Sequence, residues 1–355
     1  MEIKLQAKKQ SLQILLLFLL TFLIACQPTI KSTIEPAEKQ TLDKNIKVSS
    51  GTGVSTYGVF ITEVINIALE ELGYQTQPIK QLDVPIVHVA VSNGDLDFYS
   101  NHWEKLHNKF FIENGGEEQF QRVGTVIADT LQGYQIDKKT ADKYKISSLD
   151  QLKNPQIAQL FDSDGDGKAN LTGCNPGWGC ELVIEHHLDV YGLRDTVAHD
   201  QGNYDTLMAD VIARQQQGEA VLYYVYTPSW VPIALEQDQE VIWLEVPFTS
   251  LPQEQGAVSE QDTVADGKNL GIAVDRVRVL ANKNFLTANP TAKRLFEMIA
   301  IPLEDINAQQ KLVQDGENSS KDIRRHAEDW VKKNQEKFSG WLEEARKEDP
   351  NFSEN

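Results

Sequence analysis

Leu171-Thr172-Gly173-Cys174-Asn175-Pro176-Gly177-Trp178-Gly179-Cys180-Glu181 is the stretch of this 355-residue chain from which the rest can be read. It runs into residues 182–188, whose apolar spacing predicts a helix. Cys174 and Cys180 enclose five residues, Pro176 stiffens them, and the glycines let backbone approach a ligand closely. The third cysteine, Cys26, ends an export-like leader. That leaves Cys174 and Cys180 as an even pair in an oxidising compartment, where a disulfide is the default. The rival is a metal site drawing also on His186 and His187, against which stands a cysteine spacing unusual for zinc. The amides of Gly179 and Cys180 fall at the helix N-terminus, where N–H groups and the helix dipole favour a carboxylate. Trp178, in a loop that gives a bulky ring little to pack on, reads as a ligand contact. Its alternative reading is a plug over the cysteine pair.

Working outward, short strand-like and longer helix-like segments alternate, which defines an α/β chain. Phe60, Val64, Ile67, Ala68 and Leu72 fall at helical spacing, and Gly73 stands where a helix-ending glycine belongs. Residues 96–100 make a strand after the Asn93-Gly94 turn, residues 220–226 are β-rich, and Val277-Arg278-Val279-Leu280 is another strand. Beyond it everything reads as helix. Over residues 320–347 one stripe holds Ile323, Ala327, Trp330, Val331, Phe338, Trp341, Leu342 and Ala345, predicting a single amphipathic helix whose tryptophans face the core.

At the other end Lys4, Lys8 and Lys9 precede an apolar run over residues 12–25 that stops at Leu23-Ile24-Ala25-Cys26. The run is short for a membrane span and reads as a signal peptide, residues 1–25, with an uncleaved anchor as the alternative. The Leu-Ile-Ala-Cys ending resembles the lipobox of bacterial lipoproteins, in which the cysteine, here Cys26, carries the lipid. Residues 26–44 are polar, contain Pro28 and Pro36, and read as a tether. The remaining length suffices for two ordinary domains. A net charge of −18, from 34 basic against 52 acidic residues, argues against nucleic acid or an anionic membrane surface as partner.

Two further segments carry chemistry. In Asn101-His102-Trp103-Glu104-Lys105-Leu106-His107, a helix would put Trp103 and His107 on one face, four apart. In Tyr223-Tyr224-Val225-Tyr226-Thr227-Pro228-Ser229-Trp230, a strand would turn Tyr224 and Tyr226 one way and Tyr223 the other, so that some of these rings line a cleft. Packing is the bland alternative for both. Asp162-Ser163-Asp164-Gly165-Asp166-Gly167 opens like an EF-hand loop, but its twelfth position is Gly173, which favours a solvated Asx-rich turn over a calcium site. An extracytoplasmic hydrolase built on His107, Asp97 and a serine is the rival from another class; the sequence contains no Gly-x-Ser-x-Gly elbow and no His-Glu-x-x-His motif.

From residue 45 to residue 347 the chain resembles the ProX-type glycine betaine/proline betaine-binding proteins of Gram-negative ABC importers. Asp137-Lys138-Lys139-Thr140-Ala141-Asp142, residues 171–181 and Val246-Pro247-Phe248 carry the likeness. The resemblance implies a two-lobed, type II periplasmic-binding-protein fold with the ligand between lobes, divided as 45–136 with 277–347 and 137–276. It implies a periplasmic substrate-binding protein that delivers osmoprotectants to a permease and ATPase on separate chains; with the lipobox at Cys26 this reads as a lipid-anchored, monomeric lipoprotein, with no cofactor or metal expected. It places an aromatic cage for the quaternary ammonium on Trp103, Trp178 and Tyr226, the last departing from the tryptophan usual there. It gives the carboxylate to His107, Gly179 and Cys180, and pairs Cys174 with Cys180. A choline or carnitine receptor is the runner-up within the class. Because Cys26 is the expected lipid attachment point, Cys26→Ser should move the protein from the detergent to the aqueous phase in a partitioning assay. Unchanged partitioning would refute the anchor.

Overall fold

The computed structural model describes residues 45–256 and 258–349. The signal segment, the tether and Cys26 lie outside the described residues. The first lobe is built around β1 (Ser50–Thr52), three buried residues small enough to sit under a helix. That helix, α1 (Thr56–Glu71), buries Phe60, Val64, Ile65, Ala68 and Leu69, and Gly73 follows at φ +86° as its spacing anticipates. β2 (Lys80–Gln81) and α2 (Val84–Asn93) come next, the helix closing on Gly94 in the left-handed region. β3 (Phe98–Trp103) is buried along its whole length, and β4 (Phe120–Thr130) is the long edge strand.

One residue, Leu131, separates β4 from β5 (Gln132–Asp137), the first strand of a second sheet. β6 (Ala169–Thr172), α3 (Gly179–Val190), β7 (Val197–Asp200), α4 (Tyr204–Gln216), β8 (Leu222–Tyr226) and β9 (Val241–Leu244) complete it. The chain then returns to the first sheet as β10 (Asp275–Asn282). The first sheet runs β2-β1-β3-β10-β4 and the second β9-β5-β8-β6-β7. In each, parallel pairs joined by helices (β1 with β2 and β3; β6 with β7 and β8) adjoin antiparallel ones contributed by the crossing strands. This is the two-lobed α/β arrangement expected, with the sheets linked at Leu131 and ahead of Asp275.

After a short helix over Lys283–Ala288, four longer helices follow β10: α5 (Pro290–Met298), α6 (Leu303–Gln314), α7 (Ser320–Lys333) and α8 (Gln335–Arg346). The single C-terminal helix read from the stripe is therefore two. Asn334 breaks it and ties its side chain back to the Trp330 carbonyl at 3.0 Å. The stripe still serves the core, since Trp330 and Trp341 stack 5.7 Å apart and are nearly buried. Among the described residues no helix is long and apolar enough to cross a membrane.

Besides His326 of α7, four histidines are buried in this core. His88, His102 and His107 lie together beside the first sheet. His187, on α3, meets the Tyr134 hydroxyl at 2.8 Å and the Ser250 carbonyl at 2.9 Å. Burial lowers the pKa of all four, to about 4 for His88 and about 3 for His187, and well below 6.5 for His102 and His107. Below pH 6.5 the unfolded chain takes up protons that the folded chain refuses. Stability contributed by these neutral rings is therefore full above about 6.5 and is lost as the pH falls below it. Urea midpoints at pH 7 and pH 5 should differ accordingly, and equal midpoints would contradict the burial of these rings.

Candidate ligand-binding cleft

β3 delivers Trp103 to the edge of the first sheet facing the second, and the next four residues turn sharply. The segment is a strand end and a turn, not the helix read from its spacing. The reason lies 170 residues away. The carboxylate of Asp275, at the start of β10, accepts from the amides of Lys105 at 3.0 Å and Leu106 at 3.0 Å, so the turn needs no helical partners for them. Glu104 pairs with Arg276 and, at 3.0 Å, with Arg278. Trp103 and His107 nevertheless meet. The His107 amide donates to the Trp103 carbonyl at 2.9 Å, and the Trp103 amide donates to His107 Nδ1 at 3.2 Å. Nδ1 is thereby an acceptor, and in a neutral imidazole the proton must sit on Nε2.

A chain of hydrogen bonds backs this ring. Arg122 Nε donates to His102 Nε2 at 3.1 Å, which leaves His102 Nδ1 to donate to His88 Nε2 at 3.0 Å and His88 Nδ1 to donate to the Val84 carbonyl at 2.6 Å. Nitrogens of His88, His102 and His107 come within 4.8 Å of one another, as metal ligands would. The donor order consumes the lone pairs of His88 and His102, and the Arg122 guanidinium would repel a cation there. The Asp162, Asp164 and Asp166 carboxylates also converge, but they accept from their own loop, Gly165 and Gly167 donating to Asp162 at 2.7 and 3.0 Å, as an Asx-rich turn does.

The second lobe answers with the loop after β6. Cys174 and Cys180 are disulfide-bonded, their Cα atoms 6.6 Å apart, so neither joins His186 or His187 in a metal site. Asn175 accepts from the Tyr204 amide at 2.9 Å, fixing the loop to α4. Trp178 is the residue before α3; its ring lies against Tyr204, centroids 6.2 Å apart and 29° from parallel. The amides of Gly179 and Cys180 begin α3 and have no acceptor among the described residues. A Cβ on Gly179 would come within 2.7 Å of the Leu106 carbonyl oxygen, so only glycine permits the two lobes to approach this closely.

β8 supplies the remaining rings. Its alternation sends Tyr224 and Tyr226 to the cleft, while the Tyr223 hydroxyl turns to Gln135 at 2.7 Å, as the strand reading requires. Trp103 meets Tyr226 edge-on across the cleft, centroids 5.9 Å apart at 88°. All six residues singled out from the sequence, Trp103, His107, Trp178, Gly179, Cys180 and Tyr226, thus line one cavity. Sequence reasoning missed Tyr57, Tyr99, Asn101 and Gln132, which line it too. Tyr57 stands three residues before Phe60, in register with the apolar stripe of α1, and so passes for core. Tyr99 and Asn101 sit in a strand that is buried on both faces. Gln132 sits at the crossing between sheets, which no local pattern marks.

The fold and cavity define a two-lobed binding protein, with aromatic rings from both lobes and backbone N–H donors lining the cleft. The comparisons agree on the class. A family model for the substrate-binding domain of ABC-type glycine betaine transport systems matches residues 44–333. The glycine betaine-binding periplasmic protein OusX of Dickeya dadantii is 44% identical over 303 residues, covering 85% of this chain and 91% of that protein. The glycine betaine/proline betaine-binding periplasmic protein of Escherichia coli is 43% identical over 302 residues with the same coverage. Among solved structures, a glycine betaine/L-proline-binding protein of Borrelia burgdorferi superposes with a TM-score of 0.66 at 18% identity, covering 83% of this chain and 96% of that one, a likeness of fold. The chain belongs to the family of substrate-binding domains of ABC-type glycine betaine transporters.

The turn that presents Trp103 and His107 depends on Asp275. Asp275→Ala should strand the amides of Lys105 and Leu106 and lower stability by about 3 kcal/mol, read from urea unfolding at pH 7. A loss below about 0.5 kcal/mol would show that the turn holds without it.

Proposed function

We propose that this chain captures glycine betaine or proline betaine outside the cytoplasm, as a monomeric lipoprotein held through Cys26. It closes around the ligand and hands it to a permease and ATPase on separate chains. The lobes divide as 45–136 with 277–347 and 137–276, hinging within a few residues of Leu131 and Asp275, where the chain changes sheets. The observation that carries this reading is the lining of the cleft, which combines aromatic rings with unpaired backbone N–H donors. A trimethylammonium group has no N–H to donate, so ring faces are the means of holding it, at about 0.5 to 2 kcal/mol per contact. Trp103, Trp178 and Tyr226 supply those faces, with tyrosine serving where tryptophan is usual. The carboxylate then meets the amides of Gly179 and Cys180 at the start of α3 and His107 Nε2–H. Because His107 is held neutral, it acts as a hydrogen-bond donor and not as an ion-pair partner.

The same arrangement favours a carrier over a hydrolase. With Nδ1 committed to the Trp103 amide and protonation suppressed by burial, His107 is a poor general base. The cleft also discriminates within quaternary ammonium ligands. Choline offers the same head but a neutral hydroxyl, which leaves buried donors unsatisfied at about 1 to 3 kcal/mol each.

His107→Ala should weaken glycine betaine tenfold or more while changing choline little, and Trp103→Ala should weaken both, as read by calorimetric titration. An equal loss for both ligands in His107→Ala would remove His107 from the carboxylate end. Absence of glycine betaine binding by the wild type would refute the reading as a whole.

A further inference from the structure

We propose that Tyr57 is a fourth ring of the cation cage, and that its hydrogen bond to Trp103 sets the angle at which that indole faces the ligand. The proposal rests on the quaternary-ammonium reading above and adds a specificity-determining residue to it. Tyr57 lies in the first turn of α1 and is 2% exposed. Its hydroxyl accepts from Trp103 Nε1 at 2.9 Å, so the indole's one polar atom is tied to the phenol and not to solvent or ligand. The phenol ring stands 6.2 Å from Tyr226 and tilted 54° to it, beside Trp103 at 5.9 Å from the same ring. Two rings from the first lobe, hydrogen-bonded to each other, therefore face Tyr226 of the second.

Tyr57 lines the ligand cleft and also a smaller cavity bounded by Tyr204, Asp205 and Trp230. Its hydroxyl meets Asn101 and Ser55 as well as Trp103, so the ring is held by polar contacts in addition to packing. Burial raises the hydroxyl's pKa to about 12, so the ring offers a neutral π face throughout the physiological range. Tyr226 presents a smaller ring than an indole, and the Tyr57 face from the opposite lobe adds aromatic area beside it.

The test titrates wild type, Tyr57→Leu and Tyr57→Phe with glycine betaine and with 3,3-dimethylbutyrate, its isostere with an uncharged head, by calorimetry with competition where binding is weak. A ring contact to a desolvated cation corresponds to roughly threefold to thirtyfold in affinity. Tyr57→Leu should therefore weaken glycine betaine about tenfold and the uncharged isostere less than about threefold. Tyr57→Phe keeps the ring and deletes the acceptor for Trp103; it should weaken both ligands about twofold to fivefold and shift the tryptophan emission. Unchanged affinity in Tyr57→Leu, or an equal loss for both ligands, overturns the cage role. If Tyr57→Leu does not fold, Tyr57→Phe decides, and wild-type affinity with unchanged emission overturns the proposal. Failure of the wild type to bind glycine betaine is a separate result that refutes the functional reading, because the Tyr57 comparisons begin from wild-type binding.

Discussion

A buried carboxylate at the seam between the lobes organises the cleft. Asp275 begins the strand by which the chain returns to the first sheet, and it accepts from the amides of Lys105, Leu106 and Arg276. Burial raises its pKa, and these amides work against that rise, holding charge where solvent cannot. One side chain thus joins the crossing strand to the turn that presents Trp103 and His107. Lys105 extends the link by pairing at 3.0 Å with Asp262, on the segment that leads into that strand. The geometry of half the cavity is consequently tied to the place where the chain crosses from one sheet to the other.

Chemistry in the cleft follows from what each lobe can offer without water. The first lobe contributes side chains whose polar atoms are already committed: Trp103 Nε1 to Tyr57, and His107 Nδ1 to the Trp103 amide. What remains are ring faces and one N–H. The second lobe contributes backbone, the unpaired amides of α3, on a loop made rigid by Cys174–Cys180 and by Asn175. Flexible charged groups are missing from both contributions, and that matters for selectivity. A carboxylate side chain in the cavity would attract any cation, whereas rings and amides reward methylation at one end and negative charge at the other.

How much of this was legible in the sequence depends on the range of the determining interaction. The Cys174–Cys180 loop and the start of α3 were readable because every group that shapes them lies within about a dozen residues. The facing of Tyr224 and Tyr226 followed from strand alternation alone. The Trp103–His107 segment was misread as helix because the acceptor that permits the turn is Asp275, remote in sequence. The C-terminal stripe hid a break, since Asn334 interrupts the backbone without disturbing the periodicity of Trp330 and Trp341. Tyr57 escaped for the opposite reason: its position fits a core stripe so well that only the hydrogen bond to Trp103 reveals a second role. The six candidate residues were assembled by resemblance, and their convergence on one cavity depended on two lobes that no local pattern could orient.

The contact between Gly179 and Leu106 has a consequence beyond ligand recognition. The α carbon of Gly179 rests so near the Leu106 carbonyl oxygen that even a methyl group has no place between the lobes. On this face the lobes meet through the backbone at Gly179 and both the carbonyl and the side chain of Leu106. A single added carbon at position 179 would act as a doorstop, pushing the lobes apart at this point without removing any ring or donor from the site. Glycine there sets how closely the two lobes approach.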